Sequence, residues 1–309
     1  MDINTLKNIL QENGIVGAGG AGFPTYAKLD ERANTILLNC AECEPLLKLH
    51  RQLLEKHAYE IMKTFSMVAD VVGADEAIIG VKESYKDTVK ALETYIDEFP
   101  KVKIHQLPEV YPMGDEVVLI YEATGRVVRP GGLPIEQGVA VFNVETIYNV
   151  YRAVEKNHPV TDKLVSVVAE VEHPVTVRVP LGTTIGEVVA LAGVTTVKDP
   201  VYFVGGPMMG FIGSAQAVCR GEYLCDSKTL YERRQERRNP MSYAMLYNHR
   251  LGCREQSFGQ RFDAACRHVA LSLCAHHPEY IFKSRDKKMS VLALLPGIFL
   301  AIGQQYPFT

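Results

Sequence analysis

The chain has 309 residues, 47% apolar and 22% charged, an ordinary globular composition with length for two or three domains. Its net charge of -3 gives no basic field for nucleic acid or an anionic membrane surface. Seven cysteines, an odd number without a regular framework, and an N-terminus lacking a signal-peptide pattern suit a reducing cytosol, so the expected location is cytoplasmic.

Met1 leads almost directly into an amphipathic helix predicted over Asn4–Glu12, with Asn4 as its cap. A glycine-rich segment, Gly17 to Thr25, follows. Thr35–Asn39 is a short apolar run without helical period and reads as a buried strand. From Pro45 to Val72 the pattern is helical, with Leu46, Leu49, Leu53, Leu54, Ile61 and Met62 on one broad face. Ala77–Val81 reads as a strand, about Tyr85 to Phe99 as a helix, and Val102–Leu107 as an alternating strand. Val139–Asn143 is another apolar run, before a helix over Glu145–Glu155. Strand and helix alternating at this spacing predict a layered α/β domain with a largely parallel sheet.

Pro159 to Asp162 reads as a linker. Beyond it, Leu164–Val171 and Val175–Val179 predict a hairpin, Thr184–Ala192 a short helix and Val201–Val204 a strand. Strand, strand, helix, strand is the order of a small β-grasp module. The expected division is therefore residues 1–158, 163–215 and 216–309.

Four glycines in six positions, Gly17, Gly19, Gly20 and Gly22, strip one side of a turn of its Cβ atoms. A flat or phosphorylated ligand can then approach the backbone N–H groups. The spacing G-x-G-x-x-G by itself would name a dinucleotide fold, but that needs a buried strand directly before the loop and an acidic residue about 20 positions on. Residues Leu6 to Gly14 look helical instead, and the following strand ends on Asn39, with Glu42 and Glu44 beyond it. A glycine turn without a ligand is the competing account. Asn39 can offer both donor and acceptor to a ring edge, and the two carboxylates can accept from ribose hydroxyls or a carboxamide. The plainer alternative is a solvated loop that caps the next helix. Cys40 and Cys43 form C-x-x-C, but no second pair lies nearby and Pro45 follows, which argues against zinc.

Gly17–Lys28 together with Asn39–Pro45 resembles the nucleotide site of the flavoprotein subunit of respiratory complex I, and more closely that of its RnfC and PduS (cobalamin reductase) relatives. Tyr111-Pro-Met-Gly-Asp-Glu116, including Gly114 and Glu116, is similar to the family's Tyr-x-x-Gly loop, with Asp115 where the complex I flavoproteins have Glu. Asn143-Val-Glu-Thr146 is similar to its Asn-Val-Glu-Thr segment, and 164–215 to its soluble-ligand-binding β-grasp (SLBB) domain. The resemblance implies noncovalent FMN, hydride accepted from NADH, and electrons passed onward to a ferredoxin- or quinone-type chain or to a corrinoid. It implies that Gly17, Gly19, Gly20 and Gly22 line the flavin, that Lys28 and Asn39 hydrogen-bond it, and that Asn143 completes its pocket. Phe23 would stack on the nicotinamide nucleotide, with Glu42, Glu44 and Glu116 in contact. No basic pocket near Glu42 and Glu44 suggests a 2′-phosphate site, which favours NADH. Partners would be an acceptor protein or corrinoid, in a membrane electron-transport complex at the inner membrane or in a microcompartment.

The resemblance stops near residue 215. RnfC and PduS relatives continue into a helical domain with two four-iron clusters held by C-x-x-C-x-x-C runs. Here Cys219, Cys225, Cys253, Cys266 and Cys274 supply no such run, so clusters expected in the family are not supported. Basic usage also switches, from 13 Lys and 6 Arg before residue 216 to 4 Lys and 10 Arg over 216–288. Ser242–Tyr247 still resembles the helix before the clusters. A region out of frame or degenerated from the cluster domain, and a genuine divergent helical or irregular region, both fit. Val291–Ile302 is too short and broken for a membrane span, which needs ~20 apolar residues. Against the oxidoreductase stand two alternatives: an FMN- or nucleotide-binding module without onward electron transfer, and a scaffold with an empty loop.

Overall fold

Four apolar runs pair into one all-parallel sheet: β1 (Thr35–Cys40), β2 (Glu76–Lys82), β3 (Val102–Leu107) and β4 (Val139–Asn143), in the order β3-β2-β1-β4. This computed structural model describes residues 1–19, 22–44, 46–197, 200–205 and 211–219, and the backbone of 281–283, 289–295 and 298–301. Strands β1, β2 and β4 lack a polar face because both sides of the sheet are covered there, whereas the edge strand β3 leaves Lys103 and Gln106 exposed. Ile36, Leu38, Ile79 and Phe142 enter a large core beneath α1 (Ile3–Glu12), α2 (Leu49–Val72), α3 (Lys86–Glu93) and α5 (Val144–Lys156). Leu37, Ile78, Val139 and Val141 face the opposite way, onto Leu119 and Ile120 of α4 (Glu116–Thr124).

Local signals set most element ends. Asp2, not Asn4, caps α1, its carboxylate accepting from the N–H groups of Asn4 and Thr5. The long helix starts at Leu49, later than expected from Pro45, and stops at Gly73, whose φ of 76° only glycine adopts cheaply. The expected Tyr85–Phe99 helix breaks into α3 and a 3-10 turn, Ile96–Glu98. Helix α4 was not foreseen. It is nine residues long and apolar, with no helical stripe to read, and Asp115 starts it by accepting from Val117 and Val118 N–H. The residue that departs from the complex I pattern is thus a helix cap.

A second unit follows without a long linker. Strands β5 (Asp162–Val167) and β6 (Val175–Pro180) form the expected antiparallel hairpin, although β5 begins inside the span read as linker. Helix α6 (Ile185–Ala190) starts in a capping box between Thr184 and Glu187, and β7 (Tyr202–Val204) pairs with β8 (Phe211–Gly213). The seam between the units is ionic. Arg152 of α5 grips both Asp162 oxygens at 2.7 Å, and Arg178 adds a bond at 2.9 Å. Glu145, buried in α5, pairs with Lys163 and accepts from Leu164 N–H.

Of the C-terminal region, the described backbone comprises β9 (Ile281–Lys283), β10 (Met289–Leu295) and β11 (Ile298–Ala301), joined antiparallel in the order β11-β10-β9. The helix expected at Ser242–Tyr247 and the cysteines from Cys225 onward lie outside the described residues. Among the described residues no helix is long and apolar enough to cross a membrane.

Candidate nucleotide site

Two adjoining cavities open at the carboxyl ends of β1 and β4, the edge at which open parallel α/β sheets receive ligands. Their volumes, about 310 and 510 Å³, suit ligands of nucleotide size. Gly17, Gly19, Phe23, Lys28, Asn39, Glu116 and Asn143 line the smaller one. Gly19, Asn39, Glu42, Glu44, Gly114, Glu116 and Asn143 line the larger. Gly19, Asn39, Glu116 and Asn143 therefore form the wall between them. Of the residues expected at a site, Gly22 lines neither cavity, and Gly20 lies outside the described residues.

The glycine loop is a hairpin-like excursion, not a strand-to-helix turn. It leaves α1, pairs Val16 with Pro24, and closes through Gly17 N–H donating to Phe23 O at 2.9 Å. Gly22, at φ 69°, turns the chain back. Ala18 N–H donates to Thr146 Oγ1 at 2.9 Å, pinning the loop to the first turn of α5. Gly19 sits so close to that helix start that a Cβ there would lie 2.2 Å from Asn143 Nδ2. A Cβ on Gly114 would come within 2.0 Å of Ala41 O, so the loop carrying Glu116 is pressed against the end of β1.

Several expected ligand contacts are already occupied within the protein. Asn39 Nδ2 donates to Gly114 O at 2.8 Å and its Oδ1 accepts from Ala41 N–H at 3.0 Å, which leaves one N–H for a ligand. Glu42 accepts from His50 N–H and from Arg51 Nε, both at 3.0 Å, with its side chain only 5% exposed. It lines the larger cavity while capping α2, the plainer role open to it in the sequence. Arg51 also stacks 4.1 Å over the ring of Tyr85.

The smaller cavity keeps its reactive features. Lys28 Nζ reaches in from the 3-10 turn Thr25–Lys28, donating to Val141 O at 2.8 Å and pairing with Glu116 at 3.3 Å. Phe23 stands half exposed at the rim, 5.9 Å from that ammonium. Thr25 Oγ1, also in the wall, is buried without a hydrogen-bond partner. A glycine edge, one cation, the Asn39 N–H and this orphaned hydroxyl can meet a flat ring that accepts hydrogen bonds, so the residues fit the ring of a flavin mononucleotide.

Asn143 carries three contacts. As cap of α5 its Oδ1 accepts from Glu145 N–H at 2.9 Å and from Thr146 N–H at 3.4 Å, and its Nδ2 lies 2.9 Å from His50 Nε2. Burial lowers the pKa of His50, and its Nδ1 is buried without a partner. Neither Thr25, Thr146 nor His50 was singled out as a ligand contact in the sequence. Thr146 closes the Asn143-Val-Glu-Thr segment, whereas nothing in the sequence pattern around His50 points to it. The upper wall of the larger cavity, which includes Leu164, Val165, Tyr202 and Phe203, comes from the second unit.

The C-x-x-C pair is not arranged for chemistry. Both thiols are free, burial pushes Cys40 well up and Cys43 up, and Cys43 Sγ accepts from Gly114 N–H at 2.8 Å. Among the described residues no group of His, Cys, Asp or Glu is arranged to hold a metal ion.

Residues 10–152 match the Nuo51 FMN-binding domain family. Cobalamin reductase PduS of Citrobacter freundii is 44% identical over 209 residues, 68% of this chain and 46% of that protein. A component of the ion-translocating oxidoreductase complex of Edwardsiella ictaluri is 33% identical over 207 residues, 65% of this chain and 26% of its own. A chain of an NAD+-reducing [NiFe]-hydrogenase, crystallised in the H2-reduced state, superposes with TM-score 0.57 at 27% identity, covering 67% of this chain and 42% of that one. The matched region is thus less than half of each of these proteins. The chain is RnfC/PduS-like, and its residues 10–152 belong with the FMN-binding domain of the complex I flavoprotein.

Proposed function

We propose that this protein is an electron-transfer flavoprotein that holds FMN in the smaller cavity, takes hydride from NADH in the larger, and passes electrons to a downstream acceptor. In this reading residues 1–158 are the FMN/NADH domain, 163–215 an SLBB β-grasp domain, and 216–309 stand in place of an iron–sulfur domain. The observation that carries it is the shared wall of Gly19, Asn39, Glu116 and Asn143, which sets two nucleotide-sized cavities side by side. When bound, the flavin accepts a hydride and releases electrons singly. The protein's part is to hold and bias it. Gly17 and Gly19 give the ring backbone contact, Lys28 offsets the negative charge of the reduced state, and Phe23 covers the nicotinamide nucleotide. Glu44 and Glu116 are the carboxylates we assign to that nucleotide, with Glu42 holding the loop between them.

The acceptor is either a component of an ion-translocating oxidoreductase complex, as the name of one relative indicates, or a cobalamin, as the name of the other does. Within these 309 residues the cysteine spacing offers no ferredoxin-type ligand loop, so the next carrier is expected outside them. Purified protein incubated with FMN and gel-filtered is expected to retain flavin absorbance, and anaerobic NADH to bleach it. Retained flavin that does not bleach would establish a binding module instead, and no retained flavin would leave a scaffold. Iron and sulfide assays on the same sample test the cluster assignment, with neither expected above background.

A further inference from the structure

Carboxylates crowd the larger cavity. Glu42, Glu44, Asp115, Glu116, Glu145 and Glu170 line it, and among its described lining residues Lys163 is the only lysine or arginine. Lys163 is the second residue of β5, so this cation belongs to the second unit and stands at the seam. Its ammonium donates to Glu145 of α5. That bond uses one of three N–H groups, and 11% of the lysine side chain stays exposed. From the seam β5 carries Val165 into the lining, where Val189, Tyr202 and Phe203 join it, both rings only half-buried.

A nicotinamide dinucleotide is laid out in the same sense. Hydride transfer requires its nicotinamide ring at the shared wall of Gly19, Asn39, Glu116 and Asn143, against the smaller cavity. The diphosphate that follows is an anion, repelled by carboxylates and held by a cation, and the cavity offers that cation at Lys163. The base at the far end is flat and stacks on aromatic rings. A ligand that starts at the shared wall and passes Lys163 ends among the apolar residues of the second unit.

We propose that the second unit binds the adenylate half of the dinucleotide: Lys163 meets its diphosphate, and the wall of Val165, Val189, Tyr202 and Phe203 receives its base. This rests on the reading above that a nicotinamide nucleotide occupies the larger cavity. The family resemblance puts nucleotide contacts at Phe23, Glu42, Glu44 and Glu116, all in the first unit.

Calorimetry on FMN-loaded protein with NAD+ and with nicotinamide mononucleotide, which lacks the base, separates the two halves. Of Tyr202→Ala and Phe203→Ala, the variant that removes the stacking ring is expected to weaken NAD+ binding by about tenfold and to leave the mononucleotide within about twofold. The double variant Glu145→Gln/Lys163→Gln keeps a hydrogen-bonded pair across the seam without the cation, and should also weaken NAD+ by about tenfold. Photolabelling of the wild type with an azidoadenine analogue of NAD+, read by peptide mass spectrometry, is expected to mark the second unit between Asp162 and Gly205. Wild-type NAD+ affinity in all of these variants, equal losses of NAD+ and mononucleotide in the ring variants, or label confined to the first unit would each overturn this inference alone. Wild-type protein that holds FMN yet binds neither nucleotide overturns it together with the function proposed above.

Discussion

Gly19→Ala asks whether the glycine loop is shaped by its neighbours or by a ligand. The added methyl would stand 2.2 Å from Asn143 Nδ2 and 2.9 Å from its Cγ. That is over ~1 Å inside the separation at which such atoms attract. Asn143 cannot swing away freely, since it caps α5 and holds His50 Nε2. Losing the cap costs about 1 kcal/mol, and leaving the imidazole nitrogen without its donor adds about 1 more. A total near 2 kcal/mol moves a urea midpoint by about 1 M for an m-value of roughly 2 kcal/mol/M. Gly17 is the control. A Cβ there meets only Phe23 N and O at 3.6 Å, an ordinary contact. Gly17→Ala should change stability by less than about 0.5 kcal/mol, so any loss of FMN affinity in that variant reports a ligand against the backbone. Urea unfolding followed by circular dichroism, and FMN fluorescence titration, read the two quantities. A Gly19→Ala protein with wild-type midpoint and wild-type FMN affinity would refute the reasoning.

Other expectations follow from the same contacts. Lys28→Met removes the cation beside Glu116, and the flavin's two-electron potential should fall by roughly 30 mV (~1.4 kcal/mol) in a spectroelectrochemical titration. An unchanged potential would remove Lys28 from the ring. Glu145→Ala leaves Lys163 without its carboxylate in the seam, at a cost of about 3 kcal/mol, visible as a lowered melting temperature. A melting curve like that of the wild type would deny the pair its place in the fold. His50 has a pKa lowered by burial, so the unfolded chain takes up its proton first. Its contribution is intact above the unfolded value of ~6.5 and is lost as pH falls from there through the folded pKa. Wild-type stability should therefore fall more between pH 7.5 and 5.5 than that of His50→Asn (about two pH units, spanning the ordinary histidine value). Equal losses would mean that the ring is not the titrating group.

The strands were the most legible part of the chain. Thr35–Cys40 is short, apolar and bounded by turns, the trace of a strand buried on both faces, and Val102–Leu107 alternates as an edge strand does. Helix α4 left none, because the apolar residues among its nine positions spread around the helix and set no period. The site was legible wherever residues near in sequence act together, as in Gly17–Lys28 and Asn39–Glu44. Roles that depend on a remote partner were not. Glu42 reads as a nucleotide contact until Arg51 and the start of α2 stand beside it. His50 becomes informative only through Asn143, 93 positions away in sequence. The upper wall of the larger cavity could not be placed, since no local pattern says how the second unit leans on the first.

That lean has an evolutionary consequence. The grip of Arg152 on Asp162 fixes the spacing of the two units with residues that do not line the cavity, while Glu145 and Lys163 clamp them from within its wall, beside the apolar Val165, Tyr202 and Phe203. The apolar residues that the second unit adds to the lining can therefore change without removing either clamp or touching the glycine loop. A scaffold of this kind works as a socket with an exchangeable face: one half is constrained by a common ligand, and the other is left to drift toward whatever molecule must be admitted beside it.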